Sequence, residues 1–289
     1  MKITASLVKE LRERTGAGMM DCKSALNDVD GDIESAIEVM RKSGAAKAAK
    51  KAGRIAAEGV ISIKQKESDI VILEVNCETD FVAKDENFLS FTDEILNVIM
   101  SQDVNSVDNL LQKSIKEQTV EEKIQQLVTK IGEKISIRRF EKIKIDKQVG
   151  IYLHGKRIGV IVEMDGGDEN LAKDVAMHIA ASKPLYINEK EVSQEVLAKE
   201  KEIYLAQAQE SGKPDNIIEK MVEGRLKKFI KEITLIGQPF VKDSELSVEK
   251  VLQTANAKVL SFIRYEVGEG IEKRTDNFAE EVMSQAKGD

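Results

Sequence analysis

The sequence has no tryptophan, only 4% aromatic residues, two histidines, two cysteines and three prolines in 289 positions. Each scarcity excludes something. Cys22 and Cys77 are far apart, form no CxxC pair and cannot staple a chain of this length, so free thiols in the reducing cytosol are expected. His154 and His178 have no adjacent cysteine or acidic cluster, so no metal centre is expected and no cofactor is implied. No run of about 18 apolar residues occurs, so no membrane span is expected. The first ten residues carry charge every few positions and lack the apolar core of a signal peptide, which points to a cytoplasmic protein. The net charge of -7 gives no whole-molecule field for gripping phosphates, so nucleic acid is not expected as the main partner.

Enzyme chemistry is equally sparse. Asp28-Val29-Asp30-Gly31-Asp32 begins like a calcium loop, but the glycine is misplaced, Ile33 follows and Val39 stands where the closing glutamate belongs. Gly268-Glu269-Gly270 lacks a third glycine, and Gly212-Lys213 runs into Pro214, so neither cradles a phosphate. Glu78 and Asp80 have no assignable oxyanion donors or companion base. The expectation is a protein that is not an enzyme.

What is present is 33% charged and 42% hydrophobic residues, the balance of a helix-rich globular chain large enough for roughly two or three domains. Residues 1–43 read as three short helices: Leu7 and Leu11 lie one turn apart, Gly16 and Gly18 break the pattern, and Asp32 caps a third helix with Ile33, Ala36, Ile37 and Met40 on one face. The Ala/Lys-rich stretch 44–54 reads as a basic, partly helical connector. Strands follow: Val60, Ile61 and Ile63 turn through Glu67-Ser68 into an apolar run from Ile70 to Val75. Helices are expected around Phe88, Phe91, Ile95 and Val98 and over 120–133, then a strand over 135–141. The layout recurs with a hairpin turning at His154-Gly155-Lys156-Arg157, a helix over 169–181 with a satisfied His178 on its apolar side, and a strand ending Phe262-Ile263-Arg264-Tyr265-Glu266. The second copy is longer by residues 188–233. There Val192, Val196 and Ile203, then Ile217, Met221, Leu226 and Phe229, read as the seam of two antiparallel helices broken at Ser211-Gly212-Lys213-Pro214. A last helix with Phe278, Val282 and Met283 on one face would pack on the body or dock on a partner.

The segment Cys77-Glu78-Thr79-Asp80-Phe81-Val82 stands out because it leaves an apolar strand and enters a charged run. Phe81 either caps the sheet's own core or meets another protein. Met19 and Met20 are adjacent on a helix, so one of them at most faces the small module's core readily.

In their order and spacing, 8–23 with its Thr15-Gly16-Ala17-Gly18-Met19-Met20, Glu78-Thr79-Asp80-Phe81-Val82, Leu153-His154-Gly155, Ala176-Met177-His178, Gly237-Gln238-Pro239-Phe240 and Val267-Gly268-Glu269-Gly270 resemble the bacterial translation elongation factor Ts family. That family comprises the guanine-nucleotide exchange factors for elongation factor Tu, and the resemblance covers essentially the whole chain. It implies an α+β fold. The parts would be an N-terminal three-helix module similar to ubiquitin-associated domains with its connector (residues 1–54), a duplicated α/β core with antiparallel sheets (55–146, then 147–187 with 234–267), an inserted antiparallel coiled-coil arm (188–233) and a C-terminal helical module (268–289). It implies that Thr79, Asp80, Phe81 and Val82 reach the magnesium and phosphate side of Tu, with Phe81 as the wedge and Asp80 as its polar partner. It further implies Tu contacts at Leu11, Arg12, Met19, Met20, Lys23 and His154. The arm could pair two copies as a homodimer or 2:2 complex, or touch Tu in one copy. Exchange by such contact is linkage: the factor binds the nucleotide-free state better, and each nucleotide expels the factor to the same degree. Two other readings are a protein-binding scaffold or holdase that uses the arm and the N-terminal module without exchange activity, and an RNA-binding factor using the 47–54 run.

Overall fold

The computed structural model of the chain describes residues 3–210 and 213–272. The chain divides into two compact units; one runs to Ile143 and resumes at Glu266, and the other is Lys144–Tyr265. The expected last helix at Phe278, Val282 and Met283 lies outside the described residues.

The first unit opens with three helices, α1 (Ala5–Thr15), α2 (Met19–Asp28) and α3 (Ile33–Lys51). The Thr4 hydroxyl accepts the Leu7 N–H at the start of α1, and the Asp32 carboxylate accepts the Ser35 N–H at the start of α3. Val8, Leu11, Cys22, Leu26 and Ala36 form their small core. The partly helical stretch 44–54 is helix as far as Lys51, as a continuation of α3. Alanine and lysine are strong helix formers, and buried Gly44 lets the helix approach α6 (Val120–Ile131); a Cβ there would lie 3.2 Å from the Thr129 hydroxyl. The basic side chains of this stretch tie the fold together. Lys47 bonds Asp21 at 2.9 Å, Lys51 bonds the Gly132 carbonyl, and Arg54 bonds Glu78 at 3.3 Å.

Next come β1 (Glu58–Lys66) and β2 (Asp69–Cys77), an antiparallel hairpin in which Ile61 pairs with Glu74 and Glu58 with Cys77. Then follow α4 (Glu86–Ser101), α5 (Val107–Leu111), the small hairpin β3 (Ser114–Ile115) and β4 (Gln118–Thr119), α6, and β5 (Ile135–Lys144). The sequence pattern did not signal α5, β3 or β4, which are too short to show a period. Thr119 and Glu122 build a capping box at the start of α6. The sheet order is β1-β2-β5. Successive residues of a strand face opposite ways, so Val71, Leu73, Val75 and Cys77 share one face. They pack on Phe88, Phe91, Ile95 and Ile99 of α4. Each such side chain contributes about 1.5–3 kcal/mol when fully buried.

The second unit repeats the layout. β6 (Gln148–His154) and β7 (Ile158–Asp165) form an antiparallel hairpin, with Ile151 opposite Ile161. α7 (Glu169–Ser182), α8 (Gln194–Gln209), α9 (Asp215–Ile233), β8 (Pro239–Phe240), β9 (Asp243–Ser247), α10 (Val248–Thr254) and β10 (Lys258–Glu266) follow. The sheet order is β10-β7-β6, so in both sheets the second hairpin strand is central and a later strand closes the far side. α7 lies close on β6 at Gly150, where a Cβ would sit 2.1 Å from the Ala172 carbonyl oxygen. His178 is fully buried: its Nδ1 accepts the Val241 N–H at 3.1 Å and its Nε2 lies 3.0 Å from Gln238 Oε1. Burial pushes its pKa down, against a smaller upward pull from Gln238.

α8 and α9 run antiparallel, since Gln207 bonds Arg225 at 2.9 Å while Tyr204 meets Phe229 edge-on at 6.5 Å. Of the expected seam, Val192 is buried and Val196, Met221, Leu226 and Phe229 are half-buried, but Ile203 and Ile217 are not part of it. Ala208, Ile218 and Val222 are buried with Tyr204 packed against them, whereas Ile203 and Ile217 face out. Ile217 and Ile218 are neighbours of equal hydrophobicity, so only the partner helix selects between them.

Candidate partner-binding site

The pairing of β2 with β1 ends at Cys77. Beyond it, Glu78 and Thr79 need other partners for their main-chain N–H groups. Both donate to one oxygen of Glu133, in the turn between α6 and β5, at 3.1 and 2.9 Å. The Thr79 hydroxyl donates to the other Glu133 oxygen at 2.7 Å. The Thr79 carbonyl accepts the Cys77 thiol at 3.1 Å and the Ala83 N–H at 3.3 Å. A 3-10 turn over Val82–Lys84 follows, and Asp85 then caps α4 by accepting from the Asn87 and Phe88 N–H groups.

This path decides which of two adjacent apolar side chains enters the core. Val82 is buried and joins the α4–sheet cluster, while Phe81 is 80% exposed. Phe81 therefore does not cap the sheet's own core. Asp80 beside it is exposed and bonds Lys84 at 2.7 Å. A solvated aromatic ring forgoes a large burial gain. Beneath the loop, Cys77 is inert: burial first, then the charges of Glu133 and Glu58, push its pKa up to about 12.

A second apolar exposure lies at the start of α2. Met19 is 58% and Met20 74% exposed, so neither enters the module's core. Arg12 and Lys23 are exposed as well. Leu11 is different: it is fully buried among the three helices, so it holds the surface from beneath and offers none itself. In the second unit, His154 is exposed at the β6–β7 turn, with Tyr152 Oη 3.2 Å from its Nδ1 and exposed Leu153 between them.

Pattern reading missed Glu133, Arg54 and Lys134. Lys134 donates its N–H to Glu78 at 2.6 Å and its ammonium to the Arg54 carbonyl at 2.9 Å. The helix stop at Gly132 is the local signal for Glu133 and Lys134, and the partners of all three residues lie 24 to 80 residues away. Among the described residues, no group of three or more His, Cys, Asp or Glu could hold a metal, and no helix is long and apolar enough to cross a membrane.

A family model described as elongation factor TS matches residues 78–269. The chain is 59% identical over 292 residues to an elongation factor Ts of Thioalkalivibrio sulfidiphilus, with 100% of each chain covered. It is 56% identical over 291 residues to one of Methylococcus capsulatus, with 99% of each covered. It is 53% identical over 288 residues to one of Legionella pneumophila, again with 99% of each covered.

Proposed function

The chain belongs to the elongation factor Ts family, and we propose that, as a translation elongation factor, it binds elongation factor Tu carrying GDP and promotes exchange of GDP for GTP. It does so by contact, with no catalytic residue of its own. The observation that carries this reading is the exposure of Phe81 on an ordered loop. A G protein holds its nucleotide partly through a magnesium bridge to the phosphates. An aromatic wedge at 79–82 that displaces the supports of that bridge stabilises the nucleotide-free state, and linkage then releases GDP. Asp80, held by Lys84, supplies the polar edge of the wedge.

Met19 and Met20, flanked by Arg12 and Lys23, suit a second contact: flexible apolar side chains inside a charged rim. His154 and Leu153 form a third. The second contact belongs to a ubiquitin-associated-like module (1–54), the wedge to the first part of a two-part core (55–146), and the third contact to its second part (147–187 with 234–267). The α8–α9 pair acts as a coiled-coil arm (188–233), and the expected C-terminal module (268–289) lies, beyond residue 272, outside the described residues. Exposed Ile203, Leu205 and Ile217 on the arm support its use for docking on Tu or for pairing two copies. The place of action is the cytoplasm.

The test is stopped-flow release of a fluorescent GDP from Tu. The chain at saturating concentration accelerates release, and Phe81→Ala largely abolishes the acceleration. An unchanged off-rate with the unmodified chain sinks the proposal and leaves a scaffold or holdase.

A further inference from the structure

We infer that Glu133 is the positioning residue of the 79–82 loop: its carboxylate sets where Phe81 projects, and nucleotide release depends on it for that reason. The activity part of this inference rests on the exchange reading; the structural part does not.

The argument begins with the end of the sheet. Strand β2 ends at Cys77, yet Phe81 must stand in solvent at a defined angle to push on another protein. A wedge on a slack loop yields instead of pushing, and ordering it on contact costs binding free energy. The chain's answer is a reciprocal clamp with the α6–β5 turn. Glu133 accepts the Glu78 N–H, and the Lys134 N–H donates back to the Glu78 carboxylate at 2.6 Å. Glu133 also takes the Thr79 N–H and hydroxyl, and Thr79 passes the constraint on. Its hydroxyl oxygen accepts the Val82 N–H at 3.4 Å and its carbonyl accepts the Ala83 N–H at 3.3 Å, the groups that shape the turn carrying Phe81. Bonds to a carboxylate are the strong ones. The turn that presents Glu133 is itself secured, because Gly132 closes α6 at φ +92 and its carbonyl receives the Lys51 ammonium.

The chemistry separates two substitutions. In Glu133→Gln the amide oxygen can still accept both main-chain N–H groups, and the amide nitrogen can donate to the Thr79 oxygen. In Glu133→Ala all three bonds vanish and two N–H groups lose their partner.

The experiment combines hydrogen–deuterium exchange of the free full-length chain with GDP release from Tu. Losing the clamp in Glu133→Ala should speed amide exchange over 78–83 by about tenfold or more and slow saturated GDP release by a similar factor, while Glu133→Gln stays within about threefold of the unmodified chain. In a Phe81→Ala background, adding Glu133→Ala should change release by less than about twofold, because both act through one ring. Thr79→Val, which deletes both bonds of the hydroxyl but keeps the two main-chain bonds to Glu133, should give an intermediate loosening and serves if Glu133→Ala folds poorly. Unchanged loop protection in Glu133→Ala, or effects that multiply with Phe81→Ala, would overturn the inference. If the unmodified chain fails to release GDP at all, the exchange reading falls, and loop protection alone still decides whether Glu133 positions Phe81.

Discussion

Arg139 Nε on β5 lies 2.6 Å from Glu74 Oε2, a carboxylate fully buried in the middle of β2. The other Glu74 oxygen accepts Arg138 at 3.0 Å and the Gly268 N–H at 2.9 Å. Arg139 also reaches the Glu266 carbonyl at 3.3 Å, and Arg138 reaches the Glu269 carbonyl. One charge on β2 therefore fastens both β5 and the segment that leaves β10. The same strand ends in the loop that carries Phe81.

Removing one member of a buried ion cluster leaves the others uncompensated, which typically costs about 3–5 kcal/mol. Here Arg138 and Arg139 are 27% and 32% exposed and can recover some hydration. Glu74→Ala should therefore lower unfolding free energy by about 3 kcal/mol, toward the lower end of that range. Urea denaturation followed by circular dichroism measures it. A loss within the error of the titration would show that the cluster is not a fastening.

Phe81→Ala should separate function from stability. The ring is 80% exposed, so its removal should shift unfolding free energy by no more than about 0.5 kcal/mol. GDP release should fall by at least about tenfold, the scale of one lost contact hot spot. A matching fall in melting temperature would place the ring in the core instead.

His178 should make the second unit acid-sensitive. Burial lowers its folded-state pKa below the ordinary histidine value, so the unfolded chain takes up the proton first as pH falls. The stabilisation is fully present above that ordinary value, about 6.5, and is lost progressively below it. Urea midpoints at pH 7.5 and 5.5 should differ more for the unmodified chain than for His178→Gln. Equal differences would show that other groups carry the acid sensitivity.

Cys77 should resist thiol reagents. With its pKa pushed up to about 12, native Cys77 at pH 8 should react roughly a thousandfold more slowly than the same thiol in unfolded chain. Peptide-level alkylation kinetics read this directly. Glu133→Ala removes one of the charges raising the pKa and loosens the loop above, so it should speed the reaction.

Much of the architecture was legible in order of residues. The period of Phe88, Phe91 and Ile95 marked α4, the apolar run from Ile70 to Val75 marked β2, and Glu67-Ser68 marked the turn before it. The repeat of hairpin, helices and closing strand was also visible, and both sheets carry it in their strand order. These features depend on neighbours a few residues away, where spacing and turn chemistry act directly. The Ala/Lys composition of 44–54 marked partial helix, but only the packing of Gly44 on α6 shows that α3 runs unbroken to Lys51.

The sequence by itself determined the kinds of element, their order, and the family to which Asp80 and Phe81 belong. Tertiary structure decided which way individual side chains face. Phe81 and Val82 are adjacent and apolar, as are Ile217 and Ile218, and no local rule ranks one above the other. Phe81 stands in solvent because Glu133, 54 residues from Thr79, captures the loop's N–H groups and turns Val82 inward. Ile218 is buried and Ile217 exposed because α8 lies against that side of α9. Leu11 is sequestered while Met19 and Met20 are left outside because three short helices enclose only a small core. In each case the deciding partner lies on another element, 10 or more residues away in sequence, and only the folded chain brings it into contact.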